Sequence, residues 1–311
     1  MMKGVPVEAL EIVMSSISAS TFKQYDSALK QWSAYCSDQG CNYFTPTRST
    51  VLKFLTSKFN NGASYGTLNT LRSAISLLSQ EKIGEDPMIC KFLRGVYKSR
   101  PTKPKYTHTW DVSTVLEYLK TIDINNSSTS FKQLTEKTLM LIALVTAHRA
   151  QTFASIEISN IKFTNTGAEI LITKLIKTSA PNRPQPVLQL PFFVDSPQLC
   201  VASTLRKYLS VTKDKRKDNK ELFVSLRDPE KSVGSQTISR WLKNVLRDSG
   251  IDTSIFSGHS VRHAATSSAS NKGIDIDTIR TTANWTANSQ VFAMFYNRPI
   301  LSKNSFAIIR N

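Results

Sequence analysis

The sequence predicts a mainly α-helical protein with a small antiparallel β-sheet, arranged as an all-helical N-terminal domain and a mixed α/β C-terminal domain. Three observations carry that expectation. Apolar residues recur at spacings of three and four through the first hundred positions, with no strand-like alternation among them. Leu134, Leu139, Met140, Leu141, Ile142, Leu144 and Val145 are apolar nearly all round their helix, as in one buried at a domain centre. Short β-rich segments bounded by turn residues occur between positions 161 and 190. At 311 residues the chain has ample core for two domains.

The first fourteen or so residues are uninformative. Ser18-Ala19-Ser20-Thr21 then offers N-cap chemistry, and Phe22, Tyr25, Leu29, Trp32 and Tyr35 line one helical face up to Gly40. Thr45-Pro46 opens a second helix bearing Val51, Leu52, Leu55 and Phe59, and Asn60-Asn61-Gly62 is a turn. Ser64 caps a third helix with Leu68, Leu71, Ile75 and Leu78. Asp86-Pro87, an N-cap followed by proline at the first helical position, opens a fourth with Ile89, Phe92, Leu93 and Val96. Residues 1–97 thus read as one helical domain. Lys23, Lys30, Lys53, Lys58, Arg72, Lys91 and Arg94 fall on its polar faces. Singly, each fits a solvated face; together they fit a surface turned to phosphates.

Lys98-Ser99-Arg100-Pro101-Thr102-Lys103-Pro104-Lys105 holds two prolines and four cations, a composition that neither packs as a core nor forms a regular helix. Residues 98–108 are therefore read as a basic linker and 109–311 as the second domain. There, Asp111–Leu119 reads as a short helix. Ser130-Phe131-Lys132-Gln133 resembles a capping box ahead of the buried helix, which runs into Thr146-Ala147-His148-Arg149. One or two further turns follow over Gln151–Ile156. Ile161–Phe163, Gly167, Glu169–Thr173 and Val187–Leu190 give a hairpin and a third strand, with Lys177-Thr178-Ser179-Ala180-Pro181-Asn182 as a polar loop. Helices return at Leu199–Leu209 and Thr237–Leu246, separated by a basic surface loop, 213–220. The last helices are His259–Ser270, rich in small residues and closed by Gly273, and Asp277–Ala283.

Charge narrows the function. Lys and Arg number 40 against 23 Asp and Glu, a formal +17 that calls for a polyanionic partner, nucleic acid first. No strongly amphipathic Lys-rich helix supports a membrane surface instead. Cys36, Cys41, Cys90 and Cys200 lack the paired spacing of a zinc site and read as reduced thiols. No run approaches the roughly 18 apolar residues of a membrane span. The expected location is intracellular, and the nucleus if the source is eukaryotic.

Cutting a DNA strand with an enzyme nucleophile makes definite demands. Two guanidiniums clamp the phosphate oxygens bidentately. A lysine can protonate the leaving 5′-oxygen, a histidine can hold protons near the nucleophile, and a tyrosine can attack. Cations lining such a site make a metal unnecessary, and no cofactor is implied. Arg149, Lys177, His259, Arg262, Trp285 and Tyr296 supply these groups in order. Lys174 stays open as an alternative to Lys177, which sits nearer the loop. Packing roles are the alternatives for Trp285 and for Tyr296, which ends the aromatic run Phe292–Tyr296.

In this order, and with Gly258-His259-Ser260-Val261-Arg262-His263-Ala264 intact, the chain resembles the tyrosine recombinase (phage integrase) family. There an Arg follows a buried helix, commonly as Thr-Gly-x-Arg, a Lys lies on a β-hairpin, and His-x-x-Arg precedes a His or Trp and the nucleophilic Tyr. The resemblance implies a SAM-like core-binding domain at 1–97 and a DNA breaking-rejoining domain of the tyrosine recombinase type at 109–311, closing as a C-shaped clamp on double-stranded DNA. It implies an enzyme, a site-specific recombinase or integrase of a mobile element. Such an enzyme works through a 3′-phosphotyrosyl link, as a homotetramer on paired sites. Ser64-Tyr65-Gly66-Thr67, Arg72-Ser73-Ala74-Ile75 and Ala283-Asn284-Trp285 resemble the eukaryotic recombinases of DIRS-like elements and Cryptons. Thr152 stands where the family has an acid, Asn284 where Gly is common, and the gap from Trp285 to Tyr296 is slightly long. A domesticated protein that binds DNA without cutting it and a type IB topoisomerase are the alternatives. The tail Phe306-Ala307-Ile308-Ile309 could dock on a neighbouring copy or pack on its own chain.

Overall fold

The computed structural model describes residues 6–79, 82–286, 290 and 292–301. It divides into two compact units, one ending at Lys103 and the other beginning at Pro104. The mainly helical class with a small antiparallel sheet holds.

The first unit contains α1 (Val7–Ser15), α2 (Ala19–Gln39), α3 (Arg48–Asn60), α4 (Tyr65–Ser76) and α5 (Pro87–Ser99). Ser18, Ser64 and Asp86 cap their helices as the sequence predicts. The cap of α3 is Thr47, two residues past Thr45, because Thr47 and Thr50 form a reciprocal capping box. The stretch before Ser18, uninformative in sequence, forms α1, which buries no residue. Trp32, Phe54, Leu68 and Ile89 are fully buried in one core, and the Trp32 indole donates to the Tyr43 carbonyl at 3.1 Å. Arg72 is no surface cation: it is half-buried and donates to the Gly84 carbonyl at 2.6 Å.

The second unit is built on α7 (Phe131–Thr146), with α6 (Val112–Lys120) before it and α8 (Ala150–Ala154) after it. Strands β2 (Ile161–Phe163), β3 (Gly167–Leu171) and β4 (Val187–Pro191) form the antiparallel sheet in that order, and α9 (Val201–Thr212), α10 (Ser235–Asp248), α11 (Ser260–Asn271) and α12 (Ile276–Thr282) follow. A two-residue parallel pair, β1 (Thr109–Trp110) with β5 (Ile300–Leu301), is too short to leave a periodicity. The second unit starts inside the stretch read as linker, since Tyr106 is buried against Phe256 and His263. Arg216, placed by sequence in a surface loop, is buried and donates to the carbonyls of Glu221 and Leu222. Among the described residues no helix is long and apolar enough to cross a membrane. The tail 306–309 lies outside the described residues.

Candidate active site

Each candidate side chain is delivered by a local feature of the backbone. Helix α7 stops at Thr146 because Ala147 turns into the left-handed region, φ +50°, a conformation that costs an alanine roughly 1 kcal/mol. The helix ends there, so Arg149 leads into α8 rather than continuing α7. Gly258 delivers the second group. A Cβ at that position would stand 2.3 Å from the Ser239 carbonyl oxygen of α10, so only glycine lets the His259 turn sit this close. The start of α11 is then pinned by the buried Trp110 indole donating to Ser260 Oγ at 2.9 Å. The third group comes from a single π-helical turn, Phe292–Tyr296, closed by the Asn297 amide on the Phe292 carbonyl at 2.8 Å. A π turn takes in one extra residue, which suits the long spacing between Trp285 and Tyr296.

Tyr296, His259, Arg262 and Trp285 meet at one place. The Tyr296 hydroxyl and His259 Nε2 share a hydrogen bond of 2.9 Å. The His263 ring stacks on the Tyr296 ring, with centroids 4.0 Å apart and planes at 15°. Arg262 is 2% exposed; its Nη1 and Nη2 donate to the carbonyls of Ala147 and Ala283, each at 2.8 Å. Its guanidinium lies 4.2 Å over Trp285 and 5.5 Å over Tyr296. The buried Arg262 Nε and Trp285 Nε1 have no hydrogen-bond partner among the described residues. Half-buried Arg149 and exposed Lys177 complete the set, each near enough for its charge to lower the proton affinity of His259.

The two lysines left open by sequence now differ. Lys174 is held between Glu157 at 3.1 Å and Glu221 at 2.8 Å, and those carboxylates raise its pKa. No ion pair among the described residues involves Lys177, Arg149 or Arg262. Thr152, at the position where an acid was expected, is buried, and its amide donates to the Arg149 carbonyl at 2.8 Å. The cluster is therefore strongly cationic, with no acid paired to it among the described residues. Burying the Arg262 charge is costly, and an anion bound beside it would offset that cost.

The crowding of charge shifts the groups that share it. Burial first, then the Arg149 charge, pulls Arg262 down to about 9, so it remains protonated at neutral pH. Desolvation and then the charges of Arg262, Arg149, Lys105 and Lys177 lower His259 to about 4. His259 is nonetheless exposed by area, so water screens part of that effect. Lys105, which sequence placed in the linker, donates to Ser257 Oγ at 3.3 Å.

His148 and His263 are buried outright and are lowered to about 3, desolvation leading in both. This has a measurable consequence. In the unfolded chain both titrate near 6.5. Below that pH the unfolded state binds two protons that the folded state refuses. The stability they leave intact at pH 7 is lost progressively as pH falls from 6.5 toward 3, at up to ~2.7 kcal/mol per pH unit, two protons at ~1.4 each. Urea midpoints at pH 7, 6 and 5 should drop accordingly; equal midpoints at pH 7 and 5 would contradict the buried neutral pair.

Sequence reasoning gave no site role to His263 or Arg183, and counted Ser267 only among the small residues of its helix. His263 was findable, since positions 259 and 263 share a helical face. Ser267 Oγ donates to the Tyr296 carbonyl at 2.6 Å and accepts from the Arg298 amide at 3.1 Å, which fixes the π turn on α11.

The sequence model of the phage integrase family matches residues 112–300, well over half of the chain. No curated protein sequence matches it. Among solved structures, one similar fold is the XerH site-specific recombinase bound to difH substrate in a pre-cleavage complex. It has TM-score 0.61 and 16% identity, covering 92% of this chain and 78% of that one. A lambda integrase tetramer bound to a Holliday junction gives 0.55 and 16%, over 96% and 78%. The Tn1549 transposon integrase in complex with transposon right end DNA gives 0.52 and 11%, over 91% and 97%.

Proposed function

The chain belongs to the phage integrase family, and on that premise we propose that it is a site-specific DNA recombinase that cuts and rejoins double-stranded DNA through a 3′-phosphotyrosyl intermediate. The observation that carries this reading is the 2.9 Å contact of Tyr296 Oη with His259 inside a group of cations. A nucleophile poised among positive charges suits a phosphodiester. In the tautomer with Nε2 unprotonated, His259 accepts the phenol proton as Tyr296 Oη attacks phosphorus. Arg149 and Arg262 hold the non-bridging oxygens, and the unpartnered Trp285 Nε1–H supplies one more donor. Lys177 gives its proton to the departing 5′-oxygen. The phosphate stays on the tyrosine, and attack by another 5′-hydroxyl reverses each transfer without an external energy source.

The first unit, with exposed Lys23, Lys53, Lys91 and Arg94, would grip the duplex through its phosphates. Work on paired sites as a homotetramer, an origin in a mobile element of the DIRS or Crypton kind, and action in the nucleus of a eukaryotic host complete the proposal.

The test is covalent capture. Incubated with a library of nicked duplexes, the wild-type chain should form a denaturant-resistant adduct whose DNA sequence then defines the target. DNA binding without any adduct would leave a binding protein only. Relaxation of supercoils with no exchange between two sites would make it a topoisomerase.

A further inference from the structure

Lys177 lies on the β3–β4 connection, residues 172–186, a long polar segment whose nearest apolar anchor is Ile176. An exposed lysine on such a segment is poorly placed to act on one oxygen atom, because a general acid must be held within hydrogen-bond reach of it. The structure ties this segment down with polar side chains from elsewhere in the unit. Asn284 Nδ2 donates to Thr178 Oγ1 at 2.7 Å. Arg183 Nη2 donates to Asn284 Oδ1 at 2.8 Å and to the Asn284 carbonyl at 3.3 Å, while its Nη1 donates to the Thr178 carbonyl at 3.3 Å. On the other side, the Lys177 amide donates to Gln151 Oε1 at 3.2 Å, two residues past Arg149.

The backbone at position 284 sharpens the point. Its φ is +52°, which glycine would adopt without cost. Asparagine adds only its amide, and both ends of that amide are engaged by the segment that carries Lys177. The preceding carbonyl, that of Ala283, holds Arg262. A continuous path thus runs from the buried guanidinium through the 283–284 turn to Thr178, the neighbour of Lys177.

Resting on the proposed cleavage chemistry, we propose that Asn284, Arg183 and Thr178 form a staple that positions Lys177 as the proton donor to the leaving 5′-oxygen. They are positioning residues and touch no reacting atom themselves. A 5′-bridging sulfur, which departs as a thiolate without needing a proton, separates this role from simple packing.

The experiment compares wild type, Asn284→Gly, Thr178→Val and Lys177→Ala on the captured target, made as a nicked duplex with either oxygen or sulfur at the bridging position. Asn284→Gly keeps the backbone conformation, and Thr178→Val keeps the shape of a partly exposed side chain. Both should cut the oxygen substrate about 10- to 100-fold more slowly than wild type, and both should approach the wild-type rate on the sulfur substrate, as Lys177→Ala should. Wild-type rates for both staple variants on oxygen would overturn the staple. So would a defect that persists on sulfur while Lys177→Ala is rescued. A Lys177→Ala variant that sulfur fails to rescue would instead remove Lys177 as the acid, and with it the reading on which the staple rests.

Discussion

Tyr296→Phe is expected to abolish the covalent DNA adduct, a loss of more than ~10³-fold that reaches the floor of the assay, while leaving the fold standing. The ring is held by stacking on His263 at 4.0 Å and by Trp285 at 4.9 Å, and phenylalanine keeps both contacts. Only the hydroxyl is lost, and with it one hydrogen bond to the exposed His259, worth about 1 kcal/mol. Denaturant midpoints near wild type alongside an absent adduct would place the defect in the chemistry. An adduct that survives in Tyr296→Phe would name another nucleophile.

The second large effect is expected at Arg262, where chemistry and stability fail together. Arg262→Lys keeps the charge and removes the planar fork. Two carbonyls 2.8 Å from the guanidinium, on Ala147 and Ala283, cannot both be reached in the same way by one ammonium. An orphaned buried carbonyl costs about 1–3 kcal/mol, and the stacking on Trp285 at 4.2 Å is lost as well. We expect a stability loss of about 2 kcal/mol and adduct formation slowed by about 10²–10³-fold. Urea unfolding and single-turnover cleavage at saturating DNA would read the two effects separately. Wild-type cleavage by a destabilised variant would make Arg262 a structural tie alone.

Much of the architecture was legible because it follows from local rules. The caps at Ser18, Ser64, Asp86 and Ser130 and the apolar second half of α7 are written in residue types and spacings. The candidate site was legible as an order of residues, and the structure brings Tyr296, His259, Arg262 and Trp285 into contact. What stayed hidden depends on long-range partners. Ala147 gives no hint of a left-handed turn, since alanine ordinarily avoids it. Arg183 carries no local sign of its bonds to Asn284, a hundred residues away. The choice between Lys174 and Lys177 turns on Glu157 and Glu221, whose approach to Lys174 no local pattern records. The π turn at Phe292–Tyr296 is likewise a matter of which carbonyl an amide finds.

The bond between His259 and Tyr296 joins two residues of one and the same chain. Arg149, Lys177, Arg262 and Trp285 also belong to that chain, and to the same unit of it. The proposed chemistry would need no side chain from a second copy. Gathering several copies would then serve to choose when and where the exchange happens, and not to assemble a cutting centre from borrowed parts.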